Sequence, residues 1–271
     1  MEIVGAMRTD PGLVRERNED AVAWIRPQDE TIANSQGSLA LVADGMGGHA
    51  AGEVASALAA DTIRRVYYDL NGPVPKVLTM AFSAANRAIL DYTEEHPDCR
   101  GMGTTCTVLA FRDDKVWLAH VGDSRAYLLR EGTLTKLSQD QTLVAKLISE
   151  GELTEEEALH SPVQNVILQA LGAAQKLQPF ISSKGLSLKP GDIFILCSDG
   201  VSNMVPEATI AELAGRLPPQ EACDALIEAV LAAGAHDNAS LGVFSVTAQV
   251  TQKNAMEATT RRIKLPITER R

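Results

Sequence analysis

Apolar positions in this chain fall into blocks whose spacing changes along its length. Leu39, Leu41 and Val42 read as the end of a buried strand that runs into Asp44-Gly45, with further glycines before helical spacing begins near Glu53. That spacing holds from about Glu53 to Leu70 (Val54, Leu58, Ile63, Val66, Tyr67) and again from about Val74 to His96 beyond Gly72-Pro73. It predicts two long helices side by side, and Ala55, Ala59, Ala81, Ala85 and Ala88 predict their close packing on a sheet. Residues 101–137 alternate apolar and polar in three runs, broken at Asp113-Asp114, at Gly122-Asp123-Ser124 and at Glu131-Gly132, as in an antiparallel meander. Residues 138–172 change character. Two short helices are expected there, Gln141 to Glu150 stopped by Gly151, then one opened by a capping box from Thr154 to Glu157, and the segment reads as a surface insertion.

A second strand, from about Gly191, ends in Asp199-Gly200 as the first ends in Asp44-Gly45. Helices follow from about Glu207 to Arg216 and Gln220 to Ala233, and a last strand from Ser240 to Thr247 after His236-Asp237-Asn238. Near the start, a turn at Pro11-Gly12 precedes Arg15, Asn18, Glu19 and Asp20, which put a cation and two acids on one short segment; a solvated edge strand is the plain alternative. Residues 27–37 read as a polar loop, and residues 248–271 as a flexible tail without periodicity.

Composition narrows the function classes. With 271 residues, 45% hydrophobic and 22% charged, one globular domain is expected. The net charge of −10 argues against a nucleic-acid or anionic-membrane binder, since neutralising phosphates takes a basic surface. From Gln249 onward the tail carries +4, which leaves the body at −14. No apolar run nears the roughly 18 residues of a membrane span, and the first residues lack a signal-peptide pattern, so no membrane insertion and a cytoplasmic location are expected. Cys99, Cys106, Cys197 and Cys223 show no CxxC spacing and read as reduced, mostly buried thiols.

The candidate chemistry lies in aspartates. Asp20, Asp44, Asp123, Asp199 and Asp237 each fall at or beside a strand end next to glycine, asparagine or another acid. Any one of them alone fits a turn or cap. Brought together without cationic partners they would repel, unless a metal sits between them. All-oxygen ligands favour magnesium or manganese over zinc or copper, and a pair of such ions can activate a shared water.

In order, VRERNEDA (14–21), VADGMGGHAAGE (42–53), GMGTTCTVL (101–109), VGDSRAYL (121–128), LCSDGV (196–201) and HDN (236–238) resemble the motifs of the metal-dependent protein phosphatases. These are the type 2C serine/threonine phosphatases, here of the compact bacterial kind, and the likeness spans about residues 6 to 247. The resemblance implies an α+β fold, a four-layer α/β/β/α sandwich of two antiparallel sheets flanked by helices. It implies a phosphatase domain at 1–247 with a flap-like insertion at about 138–172, and a basic tail at 248–271. Two Mn2+ or Mg2+ ions are implied, with a third, weaker one. Asp44 would bridge two ions with the Gly45 carbonyl completing one shell, Asp199 and Asp237 would bind the other, and Asp20 would act through a metal-bound water. Asp123, with Asp199, matches the weaker position, and Arg15 would hold phosphate oxygens.

The implied reaction is attack of a metal-bridging water on a phosphoserine or phosphothreonine ester, with phosphorylated proteins as substrates and a serine/threonine kinase in the same pathway. Two departures stand out. Where some relatives place a histidine after the Asp-Gly as general acid, this chain has Met46, and His49 comes three residues later as the candidate, or as a plain helix-start residue. In the flap, Gln164 and Gln169 stand where arginines are expected, and Gln141 follows Asp140 where histidine is common.

Rival readings are weaker on chemistry. Cys106 and Arg112 have the spacing of a thiol-based phosphatase loop, but the residues between them lack the glycines such a loop needs. No GxxxxGK sequence supports a P-loop. A non-catalytic phosphoprotein-binding or scaffold member of the fold, and a hydrolase of small phosphate esters, remain as alternatives.

Overall fold

The computed structural model of the chain describes residues 1–47, 51–158 and 161–248. His49 and nearly all of the basic tail lie outside the described residues.

Two antiparallel sheets face each other. The first is five-stranded, in the order β1 (Glu2–Asp10), β12 (Ala239–Thr247), β11 (Ile193–Cys197), β7 (Arg125–Arg130), β8 (Thr133–Lys136). The second runs β10 (Leu186–Ser187), β6 (Lys115–Val121), β5 (Cys106–Arg112), β3 (Ser38–Met46), β2 (Asp20–Ile25), with β4 (Gly103–Thr104) on β3 and β9 (Phe180–Ile181) on β6. The helices are α1 (Glu30–Gln36), α2 (Ala51–Asp69), α3 (Val74–Glu95), α4 (Leu143–Ser149), α5 (Glu155–Ala158), α6 (Asp199–Ser202), α7 (Glu207–Arg216) and α8 (Pro219–Ala232).

The period-2 geometry of strands makes three cores from these elements. Along β3, Leu39, Leu41 and Ala43 face α2 and α3, while Ala40 and Val42 face the other sheet. Along β11, Ile195 and Cys197 face α7 and α8, and Phe194 and Leu196 point between the sheets. Because both faces are covered, the central strands read as continuous apolar runs. The layers are therefore helix, sheet, sheet, helix, as the resemblance implied. Ala55, Ala59, Ala81 and Ala85 are fully buried where α2 and α3 pack, and their small side chains let the helices approach. Cys106, Cys197 and Cys223 are buried free thiols and Cys99 is half-buried.

Four expectations need correction. Residues 27–37 are not a loop: Asp29 Oδ1 accepts the Thr31 and Ile32 amides at 2.8 and 3.1 Å and caps α1, which ends at Gly37 with φ 72°. Its polar composition hides it from a search for apolar periodicity. The strands of residues 101–137 are not one meander either. β5 pairs with β6 in one sheet and β7 with β8 in the other, so Gly122-Asp123-Ser124 carries the chain between sheets. The N-terminal segment, read as a turn and charged stretch with a solvated edge strand as the alternative, begins with the edge strand β1, which pairs with β12 from Glu2↔Thr247 to Asp10↔Ala239. Only Ile3 of β1 is buried, so an edge strand carries little hydrophobic signal. The insertion's helices are shorter than expected: α4 is capped by Thr142, and the Thr154–Glu157 capping box opens a single turn.

Candidate metal centre

Asp44 sits near the end of β3, and the β2–β3 register puts Asp20 directly opposite it. Asp199 follows β11 at the start of α6, Asp237 lies two residues before β12, and Asp123 lies in the turn where the chain changes sheets. Five acids distant in sequence thus meet at one end of the sandwich, with carboxylates drawn from both sheets.

Their backbones are held by buried polar side chains. The Asp44 amide donates to Thr105 Oγ1 at 3.0 Å, and its carbonyl accepts from the Thr105 amide and Thr104 Oγ1, each at 2.9 Å. Thr105 Oγ1 also meets Ser124 Oγ at 2.7 Å, which ties β3 to the Asp123 turn. Asn238 stitches the loop ahead of β2: its Oδ1 accepts the Glu19 amide at 2.8 Å, and its Nδ2 donates to the carbonyls of Pro11 and Arg17 at 2.9 and 2.8 Å. Ser198 Oγ donates to Asp20 Oδ2 at 3.0 Å. At Gly45 a Cβ would lie 2.1 Å from the Gly52 carbonyl oxygen and 2.5 Å from that of Glu19, so only glycine lets these three chain segments close up.

The electrostatics are those of buried acids that crowd one another. Burial, then the charges of Asp20, Asp199 and Asp123, holds Asp44 well above the usual carboxylate range. Burial pushes Asp20 up to about 6 against the bonds from Ser240 and Ser198, and pushes Asp123 up to about 7 with Asp199 and Asp140 adding to it. Asp199 is raised by burial and by the charge of Asp237. Acids crowded in this way favour a cation between them.

Asp20 Oδ1 and Asp123 Oδ1 are buried and have no hydrogen-bond partner. Orphaned acceptors of this kind, all oxygen, fit a hard divalent cation. Among the described residues, no three His, Cys, Asp or Glu side chains close around one point by themselves. A small ion here would keep waters and take one or two carboxylates each, as magnesium usually does.

Arg15 lies at the mouth of this cluster, its Nη2 donating to Asp237 Oδ2 at 2.8 Å while the side chain stays 55% exposed. The root of the insertion is bonded to the Asp123 turn. Gln141 donates its amide to the Gly122 carbonyl at 2.8 Å and accepts the Gly122 amide on Oε1 at 3.0 Å. Arg125 forks onto Asp140 with Nη2 at 2.8 Å and Nε at 3.0 Å from Oδ2. Buried His120 reaches the Gln139 carbonyl with Nε2 at 3.0 Å and Thr107 Oγ1 with Nδ1 at 2.8 Å. Of the flap glutamines, Gln164 is exposed and Gln169 Oε1 accepts the Gln178 amide at 3.1 Å.

Sequence reasoning missed the supporting residues Thr104, Thr105, Ser124, Ser198 and Asn238, and His120 beneath the flap. The first five lie inside the quoted motifs, but a hydroxyl or amide that orients a ligand leaves no periodic signal.

Comparison with known proteins agrees with this architecture. Residues 14–232 match the family described as protein phosphatase 2C. The chain is similar to the serine/threonine protein phosphatase PstP of Mycobacterium tuberculosis, at 40% identity over 242 residues, 89% of this chain but 44% of PstP. It is similar to the serine/threonine phosphatase stp of Listeria monocytogenes, at 34% identity over 252 residues, 91% of this chain and 96% of stp. It superposes on the crystal structure of the PstP catalytic domain in complex with two manganese ions with a TM-score of 0.79 at 38% identity, covering 91% of this chain and 99% of that one. This chain belongs to the protein phosphatase 2C family.

Proposed function

We infer that this chain is a manganese- or magnesium-dependent protein serine/threonine phosphatase. The observation that carries the reading is the cluster of half-buried aspartates from both sheets, with unpartnered oxygens on Asp20 and Asp123 and no lysine among them. The manganese pair named for the PstP catalytic domain supports two ions here as well.

In this reading Asp44 with the Gly45 carbonyl, and Asp199 with Asp237, would hold the two ions, Asp20 would act through a bound water, and Asp123 with Asp199 would form the weaker third position. The bound ions supply an acidified water and neutralise phosphoryl charge. Arg15 uses one of its five donors on Asp237, so its fork can take phosphate oxygens at the mouth. Thr104, Thr105 and Ser198 hold the acids in place, so that little rearrangement is needed at the moment of reaction. His49 is the proposed proton donor to the leaving hydroxyl. His49→Gln would then slow release from phosphothreonine far more than from a nitrophenyl ester, whose leaving group needs no proton; equal slowing of both rules this role out.

The phosphatase domain is assigned to 1–247, with the flap at about 138–172 and the tail at 248–271 as a separate segment. Among the described residues no helix is long and apolar enough to cross a membrane; a cytoplasmic setting and a serine/threonine kinase that supplies the substrates complete the proposal. The deciding experiment is phosphate release from phosphothreonine and phosphotyrosine peptides with manganese and then with excess chelator. Manganese-dependent release that favours phosphothreonine is expected. No release with manganese would instead favour a phosphoprotein-binding role for the fold.

A further inference from the structure

Beside the metal centre, between α4 and the β9 strand, lies a cleft of about 650 Å3 whose floor is the segment from Lys136 to Thr142. That floor is the one bonded to the Asp123 turn through Gln141 and Asp140, so the cleft adjoins the proposed site of reaction. Its charge runs against the rest of the molecule. The body carries −14, yet the cleft is lined by Lys136 and Lys146, and its one acid, Asp140, is 13% exposed and taken by the Arg125 fork. Lys136 is 3.5 Å from that already paired carboxylate, and among the described residues Lys146 pairs only with Glu150, which caps its helix, at 3.8 Å, where both side chains are about half exposed. Exposed pairs of this kind contribute little and leave the cations available.

A second feature coincides with the first. Leu168 and Phe180 line the cleft and are 48% and 49% exposed, and Val166, whose carbonyl accepts the Leu143 amide, is 42% exposed close by. Clustered exposed apolar side chains rimmed by polar groups mark interaction surfaces, and the volume suits a few residues of extended peptide. Gln169 and Gln178 supply amides on the wall.

We propose that this cleft is a docking site for the polypeptide flanking the phosphorylated residue, and that it selects substrates carrying acidic and large apolar residues near the phosphosite. The inference rests on the phosphatase reading and specifies the substrate class. Charge decides among occupants. The chain's own +4 tail would meet Lys136 and Lys146 with like charge, whereas an acidic segment is repelled by the body's net charge and attracted by these two lysines.

The test compares three substrates with manganese present: a phosphothreonine peptide with glutamate and leucine on both sides, the same peptide with lysine and serine, and p-nitrophenyl phosphate. The wild type is expected to favour the acidic peptide in kcat/KM by roughly three- to tenfold at low salt, mainly through KM, with the preference shrinking as salt is raised. In the Lys136→Glu/Lys146→Glu double variant the preference reverses while p-nitrophenyl phosphate turnover stays unchanged; Phe180→Ser removes the part due to leucine and keeps the part due to glutamate. A wild type indifferent to the flanks, a double variant with wild-type ranking, or an equal loss on all three substrates overturns the proposal. So does a double variant whose only change is in oligomeric state, which would make the cleft a contact between copies. Complete absence of manganese-dependent turnover by the wild type on every substrate overturns the phosphatase reading first, and is told apart by the p-nitrophenyl phosphate arm.

Discussion

Asp20, Asp44, Asp123 and Asp199 are all held above the ordinary carboxylate range by burial and by one another, and this gives pH a defined effect. Asp20 at about 6 and Asp123 at about 7 lie above the roughly 3.9 of a free aspartate. A raised folded-state pKa contributes stability in full below the unfolded value, and that stability is lost as pH rises through the folded one. The metal-free chain should therefore melt at progressively lower temperature from about pH 4 to above pH 7. Metal binding runs the other way, because the ligands must be deprotonated, so the gain in melting temperature on adding Mn2+ should widen over the same window. A manganese gain that is flat in pH would count against the carboxylate centre. Asp44→Asn should lower turnover by more than about 100-fold, beyond what supporting residues around a metal usually cost, and raise the metal-free melting temperature by a few degrees through relief of repulsion. Arg15→Ala should raise KM by roughly tenfold with a smaller change in kcat, and Arg15→Lys should fail to restore it, since a point charge lacks the fork.

The elements show why some of these contacts escape a reading of the chain. Gly122-Asp123-Ser124 looks like any hairpin turn, yet its ends enter different sheets, and Gly122 has φ 102° with Thr105 close enough that a Cβ would sit 2.6 Å from its side chain. Gln141 closes the same junction from the flap side. The Gln141 side-chain amide supplies a neutral acceptor to Gly122 that keeps its character across the pH range in which a histidine would titrate. Gln141→Ala should leave the Gly122 amide without its partner, at a cost of about 1–3 kcal/mol. In a chain of this size that appears as a drop of several degrees in melting temperature, together with weaker binding at the Asp123 position by calorimetric titration with Mn2+. An unchanged melting curve would show that the junction is held by Arg125 and Asp140 alone. The helix α1 was hidden for a different reason: its stability comes from the Asp29 cap and from the Gln36 side chain on the Tyr68 carbonyl at 2.9 Å, neither of which is periodic.

For the whole molecule, two sheets held by three apolar cores make a rigid frame, and the acids sit at the end where strands from both sheets stop. Carboxylates that repel are kept together because the cores, and not the site, supply the stability. Removal of residues 249–271 is accordingly expected to leave the melting temperature and p-nitrophenyl phosphate turnover unchanged; a loss of either would place the tail within the folded unit.

By itself the sequence determined the helices with strong periodicity, the central strands, the ordered motifs and the identity of the acids, since each of these is a matter of local spacing or residue type. It could not determine that Asp20 faces Asp44 across a strand pair, that Asp123 lies where the chain changes sheets, or that Lys136, Lys146, Leu168 and Phe180 line one cleft. Those neighbours are far apart along the chain, and only the register of the strands and the packing of the sheets bring them together.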